Sequence, residues 1–133
     1  TAQNVIVSSD GTKAYVADGE NGLVVLDITT PTPTLLGSYN TVGYSRDVKL
    51  SSDGTKAYVA DTENGLVVLD ITNPAQITQI FSYDTAGSAT GVALSDDGTK
   101  AYVTDGANGL LAIKLGAATP TIEIYMQILV SQK

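Results

Sequence analysis

The residues best able to do chemistry in this sequence are six carboxylates, Asp18, Glu20, Asp47, Asp61, Glu63 and Asp105, with Tyr44 and Arg46 beside them. Carboxylates gathered around an opening suit a hard cation such as Ca²⁺, which takes about 6 to 8 oxygen ligands. With a tyrosine and an arginine added, they also suit a small polar ligand. The same residues admit a plainer reading. An Asp that ends a strand before a Gly-containing turn accepts hydrogen bonds from the backbone N–H groups of that turn, and it recurs wherever the turn recurs. The string DGENGL, Asp18 to Leu23, also lacks the alternating oxygen ligands of an EF-hand loop, so no metal ligand set is assigned.

Composition removes most other chemistry. The 133 residues include no Cys and no His, which excludes disulfides, the usual zinc and iron–sulfur sites, and Ser-His-Asp or Cys-His pairs. Without His, general-base work falls to Asp or Glu, and no pair is marked by spacing as an acid and a base. The expectation is a protein that is not an enzyme and uses no cofactor. A net charge of -7 and a single arginine, Arg46, argue against nucleic acid, because phosphate neutralisation needs clustered Lys and Arg. No stretch has the length and apolarity of a membrane span.

The elements that must position these residues come from a repeat. SSDGTKAYVADGENGLVVLDIT at 8–29 returns as SSDGTKAYVADTENGLVVLDIT at 51–72, 43 residues on, with 21 of 22 positions identical. A third copy, SDDGTKAYVTDGANGLLAIKL, occupies 95–115, and GSYNTVG at 37–43 is echoed by FSYDTAG at 81–87. Such near-identity means either a recent duplication or construction from a consensus. The units fall at 1–43, 44–87 and 88–133, and the chain opens at Thr1 almost on a unit boundary, as a processed, excised or artificially bounded piece would.

Each unit reads as four short strands. Asn4 to Val7 runs into Asp10-Gly11, Lys13 to Ala17 into Asn21-Gly22, and both dipeptides are hairpin signals. Leu23 to Ile28 is nearly all apolar, which predicts a strand covered on both faces. A Pro-bearing loop precedes the fourth strand, Leu35 to Tyr39, copied at Ile77 to Tyr83; in the last unit it becomes Thr121 to Val130 and leaves the template. Tyr15, Tyr58, Tyr102, Tyr39 and Tyr83 read as packing residues, and the DGTK strings as turns. Asp27 and Asp70 read as solvated or ion-paired positions, with Lys114 as their third equivalent.

Four antiparallel strands repeated every 43 or so residues describe β-propeller blades. GLVVLDIT followed by Pro and preceded by AYVAD resembles the LVIVD repeat of bacterial and archaeal surface or secreted proteins. That resemblance spans about Asn4 to Leu115. It implies a propeller and an extracellular or surface location, and it carries no catalytic motif onto these positions.

Closed propellers contain about 4 to 8 blades, so three leave an apolar face bare at each end. Two chains supply six. The expectation is therefore a head-to-tail homodimer, blade 1 of each chain against blade 3 of the other, acting as a self-assembling or protein-binding scaffold. The alternatives are a piece of a longer propeller, and a ligand- or cation-binding propeller that uses the acidic rim and channel.

Overall fold

The computed structural model describes residues 1–115 and the backbone of one further strand, Ile122–Ile128. Three four-stranded antiparallel sheets follow one another along the chain. The first is β1 (Asn4–Val7), β2 (Lys13–Ala17), β3 (Leu23–Asp27) and β4 (Thr34–Tyr39). The second is β5 (Asp47–Leu50), β6 (Lys56–Ala60), β7 (Leu66–Asp70) and β8 (Thr78–Tyr83). The third is β9 (Gly91–Leu94), β10 (Lys100–Thr104), β11 (Leu110–Leu115) and β12 (Ile122–Ile128). Within each sheet the spatial order is the chain order, so each blade is a meander built from its own strands.

The first turn of every blade is set by local chemistry. Gly11, Gly54 and Gly98 take φ near 75°, the left-handed conformation that glycine adopts without steric cost. Asp10 Oδ1 then accepts from the Thr12 N–H at 3.0 Å and from the Ser8 and Thr12 hydroxyls at 2.7 Å. The second turn is wider than the two-residue hairpin expected from Asn21-Gly22. Residues 18–22 form a loop closed by Asp18 N–H on Gly22 O at 2.8 Å, because Gly19 and Gly22 both sit at positive φ. Strand ends also shift by a residue. Thr34 and Thr78 open the fourth strands, and Pro74–Gln76 forms a 3-10 turn capped by Asn73 in the second blade. The part of the expected last strand beyond Ile128 lies outside the described residues.

Burial follows from stacking. One core lies between blades 1 and 2: Tyr15, Ala17, Leu23 and Val25 meet Val48, Val59, Val67, Leu69 and Ile71. The other repeats it between blades 2 and 3, where Tyr58, Ala60, Leu66 and Val68 meet Val92, Val103, Leu111 and Ile113. Leu66 to Leu69 is therefore buried throughout, as a strand covered on both faces must be. In blade 1 the identical run alternates, with Val24 and Leu26 only half-buried, because no sheet lies in front of it.

Candidate functional site

The loops after the second strands and the segments entering each blade do meet on one rim. Gly19 and Ser45 form an isolated antiparallel bridge with paired backbone hydrogen bonds of 3.0 and 3.1 Å, and Thr62 and Ala89 repeat it. The carboxylates on this rim separate into two kinds. Asp18, Glu20 and Glu63 face outward, whereas Asp47, Asp61 and Asp105 are buried.

Asp61 follows β6 and is fully buried. Its Oδ1 accepts from the Thr41 hydroxyl at 2.6 Å and the Ser45 hydroxyl at 2.8 Å; its Oδ2 accepts from the Gly43 N–H at 3.2 Å and Asn64 Nδ2 at 2.9 Å. Thr41 and Gly43 follow the outer strand of blade 1, so this carboxylate fastens one blade to the next. Gly43 has to be glycine: a Cβ there would lie 2.6 Å from Asp61 Oδ2 and 2.7 Å from Asp61 O. Asp105 repeats the arrangement with the Thr85 hydroxyl and with Asn108 Nδ2 at 3.0 Å. The residue between Thr and Gly is left-handed in both copies, Val42 at φ 78° and Ala86 at φ 72°. Its N–H is held by the side chain two residues earlier, Asn40 or Asp84, at 2.8 Å. Asp61 and Asp105 are thus structural, with partners drawn from the preceding blade as well as from their own.

Asp47, expected on the rim, opens the inner strand β5 and links all three blades. Oδ1 accepts from Asn4 Nδ2 of blade 1 and Oδ2 from the Val92 N–H of blade 3 at 3.0 Å, while Lys49 Nζ lies 3.1 Å from Oδ2. Tyr44, half-buried, and exposed Arg46 form a separate pair: the guanidinium stacks 5.0 Å from the ring centroid, and Gln3 Nε2 donates to the Tyr44 hydroxyl at 3.1 Å. Glu63 accepts from the Thr62 hydroxyl at 3.0 Å. Among the described residues, no group of three or more carboxylates is placed to hold a metal ion. Thr41, Ser45, Asn64 and Thr85 were not singled out by sequence reasoning. The Thr-x-Gly that ends the echoed GSYNTVG and FSYDTAG strings was the signal available.

The opposite rim carries grooves between adjacent blades. One of about 400 Å³ has Leu50, Leu94, Leu115 and Tyr58 among its lining residues, with Asp53 and Asp97 at its edge. Its counterpart between blades 1 and 2 holds about 390 Å³ around Ile6, Tyr15 and Leu50. Burial, with the nearby Asp53 charge, pushes the Tyr58 phenol above its ordinary value, so it stays a neutral donor. The edge aspartates are held the other way. The Thr55 N–H and the Ser51 and Thr55 hydroxyls bring Asp53 down to about 2, and the Ser95 and Thr99 donors do the same for Asp97. These are turn-forming carboxylates, each with three neighbouring donors on its Oδ1. Asp27 and Asp70 likewise bond Thr29 and Thr72 two residues on, within their own blades.

Comparison with known proteins agrees with this geometry. The periplasmic gluconolactonase of Pseudomonas aeruginosa superposes with a TM-score of 0.83 at 18% identity, over 97% of this chain and 40% of that one. The β-propeller domain of Cps50 (Swd1) from Myceliophteria thermophila gives 0.70 at 16% identity, over 88% and 41%. Sqt1 from Saccharomyces cerevisiae gives 0.73 at 13% identity, over 92% and 33%. The chain thus spans about two fifths or less of the length of these structures. At such identities the likeness concerns the fold, which is that of β-propeller blades. No curated protein matches the sequence. The model of the LVIVD repeat matches three times, at residues 1–41, 42–85 and 86–113. The chain belongs to the LVIVD repeat family.

Proposed function

We propose that this chain is a non-enzymatic assembly module whose open end faces pack against further blades, a second copy supplying them in a head-to-tail homodimer of six blades. The observation that carries this reading is the contrast between equivalent positions. Val48 and Val92 are 1% and 4% exposed beneath the blades in front of them, while Val5 is 55% exposed. Val7, Val16, Val24, Leu26 and Leu35 extend this apolar surface across the front of blade 1. The back of blade 3 presents Tyr102, Leu110 and Ala112 where blades 1 and 2 use Tyr, Leu and Val to cover their successors. Exposed contiguous apolar faces mark association surfaces, and blade-on-blade contacts of this chain supply the template.

Against a cation-binding rim stands the bonding of Asp47, Asp61 and Asp105, whose oxygens already accept from two to four protein donors. The lactonase activity named for the Pseudomonas protein has no support from residues of this chain at 18% identity. A Val5→Asp substitution tests the assembly reading, because it places a charge on the open face. In sedimentation velocity the unmodified chain is expected to associate reversibly and the variant to remain monomeric with its fold intact. Equal sedimentation of both, with calcium raising the melting temperature, would favour the rim instead.

A further inference from the structure

Asp18, Asp61 and Asp105 occupy one position in three blades, and two of them are locked. Each has an Asn three residues on that donates from Nδ2, at 2.9 Å, 2.9 Å and 3.0 Å. Asp61 receives in addition the hydroxyl of Thr41 and the N–H of Gly43, and Asp105 receives the hydroxyl of Thr85, in each case from the end of the preceding blade. Asp18 lacks those donors. Its Oδ1 meets the α-ammonium of Thr1 at 3.1 Å, and the residue is partly exposed.

We infer that the front of blade 1 is a docking site with a polar lock, and that its fitting occupant is a blade of this repeat type whose outer strand runs into Thr-x-Gly. The inference rests on the reading of that face as an assembly surface and adds what it selects. The apolar strip supplies adhesion without direction. The lock fixes register, since the Asp accepts only where hydroxyl and N–H arrive together. The geometry of the occupant is already built twice within the molecule: Thr, a left-handed residue held by an Asx side chain, then Gly against the carboxylate. A second copy fits the apolar strip, but its sequence holds no Thr-x-Gly after Leu115. A blade ending in Thr-x-Gly therefore docks more tightly than a second copy of this chain.

The test supplies the key as an Asn-Thr-Val-Gly extension ahead of Thr1, the order found at Asn40 to Gly43. The melting temperature of the extended chain should exceed that of the same extension on Asp18→Asn by about 3 °C, while D18N without the extension changes it little. Equal melting temperatures of the two extended chains would overturn the lock. Sedimentation of the unextended chain is read separately: a monomer there refutes homodimer assembly and leaves the lock standing.

Discussion

Blades 1 and 2 share 21 of 22 residues through their central strands, yet they occupy different environments. Leu69 is fully buried and Leu26 half-buried; Val59 is buried and Val16 is not; Asp61 holds four donors where Asp18 holds an asparagine and a chain terminus. Within that stretch only Gly19 against Thr62 distinguishes them. The difference lies in what stands in front: blade 2 has blade 1, and blade 1 has solvent. In this fold the strand pattern is a property of the unit, whereas burial and polar satisfaction are properties of the stack.

Substitutions at equivalent positions should therefore have unequal consequences. The largest contrast is expected at the rim. Asp61→Ala leaves the Gly43 N–H without its acceptor and the Thr41 and Ser45 hydroxyls with only each other, while Asn64 keeps Thr41 O; it should cost about 4 kcal/mol, since each orphaned buried donor costs about 1 to 3. Asp18→Ala should change the unassociated chain little. Urea titrations of both variants at low concentration measure the gap; equal losses would show that Asp18 is already locked. Next comes the core. Leu69→Ala should lose about 3 kcal/mol through lost burial and the cavity it leaves. Leu26→Ala should lose less than about 1 kcal/mol in the monomer and act instead by weakening association.

A gain is expected at Val42. A β-branched residue at φ 78° is strained, and glycine removes the clash. Val42→Gly should stabilise by about 1 kcal/mol in thermal melts, while Leu or Ile at the same place should give no gain.

The smallest effect belongs to the Asp-Gly turns, where the blades should behave alike because the chemistry is local. Neighbouring hydroxyls and N–H groups hold Asp10, Asp53 and Asp97 at about 2, below the ordinary 3.8. Carboxyls depressed in this way contribute their full stabilisation above about pH 4 and lose it as the pH falls toward 2. Melting temperatures followed from pH 5 to pH 2 should drop through that window, and D10N, D53N and D97N should each flatten the drop by a similar amount.

These contrasts mark what could be read from the residues in advance. The strands and the Asp-Gly turns are encoded between near neighbours in sequence and the blade count in a 43-residue repeat, so periodicity, turn chemistry and self-similarity expose them. The lock is not encoded that way. Thr41 reaches Asp61 across 20 positions, and Asp47 joins Asn4 to the Val92 N–H across three blades. Such meetings depend on how sheets stack. Sequence reading bonds Asp61 and Asp105 to their own turns, and the fold adds the Thr41 and Thr85 hydroxyls from the preceding blades. Even the nearly continuous apolar run misled in one copy, because Leu23 to Leu26 has a neighbour on one side only.

If the open faces of this chain are completed by another copy, size-exclusion chromatography with light scattering at micromolar concentration should give a mass of twice 13.7 kDa that dissociates on dilution. A mass of 13.7 kDa across the whole concentration range would rule that assembly out.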